Sequence, residues 1–170
     1  MSEVTGTRSR SRFMIEECPP PSTYSLFIPA RWPRYGARSR RARLAWRGGL
    51  ALGKVWEFIR SQPGLRTDGH NIFLYHHSTQ PGAPIPCDFG VEVTRTFETA
   101  GEVYATKTRG GEAAVAVHRG PYNRMNEAHD AVRKWMAANR KESAGHSWEI
   151  YGDPTPDPAD TETTVFYLLK

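Results

Sequence analysis

Only two cysteines, Cys18 and Cys87, occur in 170 residues, too few for a disulfide framework. They read as free thiols of a reducing compartment. No apolar segment follows the amino-terminal basic residues to mark a secretory signal, so a cytoplasmic location is expected. No stretch approaches the roughly 18 consecutive apolar residues of a membrane span, and no membrane partner is expected. The chain also lacks a Ser-His-Asp order, a phosphate-binding loop and a dinucleotide fingerprint, which leaves those enzyme classes without support. Its six histidines include the neighbours His76 and His77, but adjacent strand residues point to opposite faces and share a metal poorly. Neither a metal site nor a cofactor is expected.

Acidic residues are scarce at the front. Residues 1–54 hold eleven Lys/Arg against three Asp/Glu, whereas residues 55–170 hold twelve against fifteen. Arg31, Arg34, Arg38, Arg40, Arg41, Arg43 and Arg47 form a cluster that reads either as a solvated approach to the next helix or as a patch for nucleic acid or an acidic partner. It contains one aromatic interruption, Trp32 to Tyr35, and no helix-turn-helix pattern is legible, which argues against nucleic acid.

What is present is a repeat. Gly69-His70-Asn71-Ile72-Phe73-Leu74-Tyr75 matches Gly145-His146-Ser147-Trp148-Glu149-Ile150-Tyr151 as Gly-His-x-x-x-[Leu/Ile]-Tyr, each copy following a helical pattern. Alternation sends Trp148 and Ile150 to one face of the second strand and Glu149 and Tyr151 to the other. A helix covers one face only. If it meets Trp148 and Ile150, then Glu149 and Tyr151 lie opposite it, with Phe73 and Tyr75 from the first copy. An ionised carboxylate among apolar neighbours needs hydrogen bonds or a cation. Glu149 is therefore either a solvated outer-face residue or the centre of a site.

The remaining pattern extends the repeat. Residues 1–21 read as a basic, disordered tail and 22–170 as one domain, with a first repeat over 22–97 and a second over 101–170. In the first, Ser22 to Ile28 is strand-like and Pro29 should end it. Leu52, Val55, Phe58 and Ile59 lie on a helical stripe that starts near Leu50, with Gly48-Gly49 as a break before it and Pro63-Gly64 as its stop. Strands follow at Ile72 to His76 and Phe89 to Val93, separated by a Pro/Gly loop. In the second, strands are expected at Val103 to Thr106 and Ala113 to His118. Met125, Ala128, His129, Val132, Trp135 and Met136 then form a helical stripe, begun by Pro121 and Asn123. Ser147 to Tyr151 and Thr163 to Leu169 complete it as strands. The fold class is α+β, with helices on antiparallel sheets.

Together, His118-Arg119-Gly120-Pro121-Tyr122, Trp148-Glu149-Ile150-Tyr151, the terminal strand Thr163 to Leu169 and the first-half strand Phe73-Leu74-Tyr75-His76 resemble the GyrI-like small-molecule-binding domain, known also as the effector-binding domain of multidrug-responsive transcription activators. The resemblance covers roughly residues 50–170. It implies duplicated strand-helix-strand-strand modules with pseudo-twofold symmetry and a ligand cleft between the halves. It also implies that Glu149 matches the central glutamate that meets lipophilic cations in multidrug-binding members. Tyr151, Tyr167, Phe73, Tyr75 and Tyr122 would line the cleft. No DNA-binding domain is legible, so a stand-alone binding protein is expected rather than an activator.

Aromatic walls around a carboxylate suit flat lipophilic cations, which gain stacking, cation–π attraction and a counter-ion. The same parts permit general base catalysis. Some stand-alone relatives open strained electrophiles such as cyclopropanoids, which would make Glu149 the base that activates water, assisted by Tyr122 or Tyr151. Gyrase-inhibitory relatives imply a third function, binding a protein that acts on DNA. The other histidines carry blander expectations: packing for His129, a turn-ordering hydrogen bond for His118, and turn caps for His70 and His146.

Overall fold

The computed structural model describes the backbone of residues 12–18, 24–30, 37–65, 68–78, 80, 85–93, 95, 97, 98 and 101–170, and the side chains from residue 49 onward. The strands are β1 (Arg12–Cys18), β2 (Tyr24–Ala30), β3 (Asn71–His76), β4 (Cys87–Val93), β5 (Tyr104–Lys107), β6 (Gly111–Arg119), β7 (Ser143–Tyr151) and β8 (Glu162–Leu169). The helices are α1 (Ala37–Ser61) and α2 (Asn126–Ala138). All the strands join one antiparallel sheet in the order β1-β6-β8-β7-β3-β4-β2-β5. The two copies of the repeated motif meet at its middle as β3 and β7, with Phe73 directly opposite Glu149 and Tyr75 opposite Ser147.

Both helices lie on one face of the sheet, over its flanks. On α2, Ala128, Val132 and Met136 pack on Ala114, Ala116, Val165 and Leu169 of β6 and β8. On α1, Val55 and Ile59 pack on Val91 and Val93 of β4. The central pair β3/β7 is thus left between the helices. The opposite face carries its own apolar cluster of Ile72, Leu74, Trp148 and Leu168, with Trp148 and Phe166 stacked at 5.1 Å and 8°.

Several sequence-based expectations change here. Trp148 and Ile150 do not meet a helix; the helix-bearing face is the one that carries Glu149 and Tyr151. Central strands bury apolar side chains on both faces, so bulk alone does not identify the helix side. Residues 12–18 form β1, paired with β6, rather than part of a tail, and residues 1–11 lie outside the described residues. Pro29 sits inside β2 because β5 pairs with β2 only as far as Phe27, so Pro29 lies where one side of the strand has no partner among the described residues. Gly48 and Gly49 do not interrupt α1, whose 25 residues run through them. A helical glycine costs only about 1 kcal/mol relative to alanine, which a helix of this length absorbs. The arginine cluster falls partly on the α1 backbone, and its side chains lie outside those described.

The glycines of the repeated motif are required for different reasons. A Cβ on Gly69 would meet the Glu92 carbonyl oxygen at 2.1 Å, whereas Gly145 has φ +84°. Gly69 thus sets the approach to β3, and Gly145 lies where β7 shifts register against β8, between Ser143 and Ser147. Among the described residues no helix is long and apolar enough to cross a membrane.

Candidate functional site

The helices flank a cavity of about 710 Å³ whose floor is the β3/β7 pair. Gly49 and Leu52 of α1 form one wall, and Met125, Asn126, His129 and Arg133 in and just before α2 form the other. Strand alternation supplies the floor, because Phe73, Tyr75, Ser147, Glu149 and Tyr151 all point to the helix side. Tyr167 reaches in from β8, while Tyr122 and Ile85 stand at the rim, 53% and 41% exposed. Trp56 Nε1 donates to Asn71 Oδ1 at 3.1 Å and ties α1 to the start of β3.

Glu149 lies at the centre of this floor and is only 4% exposed. Tyr151 donates its hydroxyl to Oε2 at 2.5 Å, and His129 Nε2 lies 2.7 Å from Oε1. Tyr75 also hydrogen-bonds the carboxylate, and burial followed by the Glu149 charge raises the pKa of both tyrosines well above the usual phenol value. They therefore remain donors at neutral pH. These bonds answer the desolvation of the carboxylate, so it is not the solvated outer-face residue of the alternative reading.

The aromatic rings form a connected wall. Phe73 lies 4.7 Å from Tyr151 and 4.6 Å edge-on to Phe89, and Tyr122 stands 5.4 Å from Tyr151. Across the floor, His77 stacks on Tyr167 at 5.9 Å and its Nε2 lies 2.6 Å from Ser147 Oγ. Burial lowers the His77 pKa, and the Arg133 charge adds to that shift. All six residues proposed from the sequence border this one cavity.

His129, Arg133, His77 and Ser147 are among the further lining residues that were not proposed. His129 shares a helical stripe with buried Met125, Ala128 and Val132, which is why it reads as packing. The signal was the polar pair His129 and Arg133, one turn apart beside that stripe. His118 is fully buried with Nε2 3.3 Å from the Pro121 carbonyl oxygen, the turn-ordering role expected for it. His76 and His77 diverge, His76 to Asp88 on the far face and His77 into the cavity. Among the described residues no three His, Cys, Asp or Glu side chains converge on a metal position.

Comparison with known proteins accords with this architecture. No curated protein matches the chain. The C-terminal domain of EcmrR is similar over 95% of this chain and 98% of that one, at 18% identity and a TM-score of 0.67. EcmrR in its DNA complex gives a TM-score of 0.69 at 18% identity, with 95% of this chain covered; the chain spans only 57% of that longer protein. SAV2435 bound to tetraphenylphosphonium is similar over 94% of both chains, at 8% identity and a TM-score of 0.65. A hydrolase from Listeria innocua is similar over 96% of this chain and 92% of that one, at 11% identity and a TM-score of 0.51. At such identities the likeness is one of fold. The pattern of the GyrI-like small molecule binding domain matches residues 49–169, from within α1 to the end of β8, and the chain belongs to that family.

Proposed function

We propose that this protein binds lipophilic, cationic aromatic compounds between its helices, with Glu149 as counter-ion and Phe73, Tyr75, Tyr122, Tyr151 and Tyr167 as aromatic walls. The observation that carries this reading is a carboxylate only 4% exposed at the floor of a ring-lined cavity of drug-like size. A cation there gains ring-face attraction of about 0.5–2 kcal/mol per contact, and the carboxylate favours it over a neutral guest. The likeness to SAV2435 bound to tetraphenylphosphonium, a lipophilic cation, supports the same guest class.

Residues 22–97 and 101–170 are read as two related modules of one domain. In support, the order outward from the central pair is β4, β2 on one side and β8, β6 on the other, and each set has its own helix. A pseudo-twofold relation would make Phe73 and Glu149 equivalents, and they are cross-strand partners.

The test is a fluorescence titration with rhodamine 6G, a lipophilic cation. Wild type should bind it reversibly, and Glu149→Gln should bind at least about tenfold more weakly, or ~1.4 kcal/mol. Equal affinity in the two proteins would remove Glu149 from the reading. The Tyr151–Glu149–His129 hydrogen bonds favour a second reading, hydrolysis of a strained electrophile. Glu149 would take a proton from water as the water oxygen bonds to the electrophilic carbon, and Tyr151 or Tyr122 would donate one to the leaving atom. Turnover of a cyclopropane-bearing electrophile, lost in Glu149→Gln, would mark that activity.

A further inference from the structure

Arg133 follows His129 by one turn of α2, and its guanidinium lies at the cavity edge. Its Nη2 donates to Asp130 Oδ1 at 2.6 Å and its Nη1 to the Tyr167 hydroxyl oxygen at 3.0 Å. That hydroxyl lies 3.1 Å from His129 Nδ1, and His129 Nε2 lies 2.7 Å from Glu149 Oε1. Four side chains from α2, β8 and β7 thus form one unbroken relay.

The direction of the relay follows from its arginine end. A guanidinium has donors and no acceptor, so the Tyr167 oxygen accepts from Arg133. The Tyr167 hydrogen is then free to point at His129 Nδ1, which must accept it. A neutral imidazole carries its one hydrogen on the other nitrogen, so Nε2 donates to Glu149. Each link of the relay then has one donor and one acceptor. A second proton, on Nδ1, would aim two N–H groups at the phenol oxygen and leave the O–H of Tyr167, which is 5% exposed, without its acceptor. The charged and titratable groups around His129 are Glu149 and Tyr151 from β7, Tyr167 from β8, Tyr75 and His77 from β3 and its exit, and Asp130 and Arg133 from α2. Among them Glu149 and Asp130 carry negative charge and Arg133 positive charge, and the Arg133 charge lowers the pKa of neighbouring His77. Burial opposes the Arg133 charge, but the interactions with Asp130 and Tyr167 together outweigh it and raise the Arg133 pKa.

We propose that Arg133, acting through Tyr167, is a positioning residue that keeps the His129 imidazole neutral, so that Glu149 presents a net negative charge and the cavity prefers cationic guests to neutral ones of similar shape. This deepens the binding reading above and rests on it. A protonated His129 would neutralise Glu149 from 2.7 Å and remove the preference.

Two measurements test it. The first is the ratio of affinities for rhodamine 6G, a cation, and Nile red, a neutral dye, at about pH 8 and about pH 6. In wild type the ratio should change less than about twofold; in Arg133→Met and in Tyr167→Phe it should fall at least about fivefold at the lower pH, within the range of ordinary site coupling. Adding His129→Asn to Tyr167→Phe should flatten the ratio again. Arg133 is a surface residue, so its variant separates the effect from misfolding. The second is nitrogen-15 NMR of the free protein, which should show His129 neutral with its hydrogen on Nε2 at about pH 7. A cationic His129 there, or ratios in the variants that stay as flat as in wild type, would overturn the proposal. A neutral His129 in a protein that binds neither dye would instead sink the binding reading and uphold the relay.

Discussion

Two carboxylates are buried near the middle of the sheet, on opposite faces, in similar company. Glu149 on the helix side is 4% exposed and bonded to His129 and Tyr151; Asp88 on the far side is 7% exposed and bonded to His76 at 2.6 Å and to Tyr104. Burial, and then Asp88, raise the Tyr104 pKa, as burial and Glu149 do for Tyr151. The local chemistry of the two groups is nearly the same. What differs is what lies above each of them. Glu149 opens onto a large cavity between two helices, whereas Asp88 is held in β4 beside the Ile72–Leu74–Trp148–Leu168 cluster. A satisfied, buried carboxylate is thus a structural device unless the fold leaves space against it. The helices, by standing over the flanks, leave that space on one face.

The largest expected difference between the two is in guest affinity. Glu149→Gln should weaken rhodamine 6G binding at least about tenfold, whereas Asp88→Asn should change it less than about twofold, as measured by fluorescence titration. Stability should show the reverse order. Asp88→Ala leaves His76 and Tyr104 without their shared acceptor and should cost about 1–3 kcal/mol in guanidinium unfolding, more than Glu149→Gln, whose amide still accepts the Tyr151 hydrogen bond. Phe73→Ala should weaken binding of both rhodamine 6G and Nile red by about two- to tenfold, the cation more than the neutral dye, since one ring contact contributes ~0.5–1.5 kcal/mol and only the cation gains from the ring face.

The smallest effect is on pH. Burial lowers the pKa of His77 on the cavity side, and burial followed by Arg109 lowers that of His146 on the far side. The unfolded chain takes up these protons near the ordinary value of about 6.5, the folded protein only below it. Stability should therefore be full above that pH and decline as pH falls through it towards the folded values. Melting should come at a lower temperature at about pH 5.5 than at about pH 7.5, and His77→Gln and His146→Gln should each reduce that drop.

Much of this arrangement was legible from the sequence. Period-two alternation put Glu149, Tyr151, Phe73 and Tyr75 on a common face, and that follows from backbone geometry alone. The side on which the helices lie was not legible, because Ile72, Leu74, Trp148 and Ile150 look like the helix-facing set and in fact bury one another on the far face. Nor was His129, whose place on an apolar stripe hides its turn towards β7. Strand β1 escaped because its partner β6 is remote in sequence, and α1 began early because glycines weaken a helix without ending it. Each miss concerns a tertiary choice that local pattern does not encode.

The edge strand β1 has a consequence for synthesis. Cys18 pairs with Gly111 and Arg12 with Val117. A ribosome that has just released β1 must therefore make all of β2, α1, β3, β4 and β5 before the strand that receives it exists. Until then β1 is an unpaired edge, open to pairing with other nascent chains. Assembly of this sheet waits on one of the most distant pairings in the molecule, which places it among the slowly closing topologies.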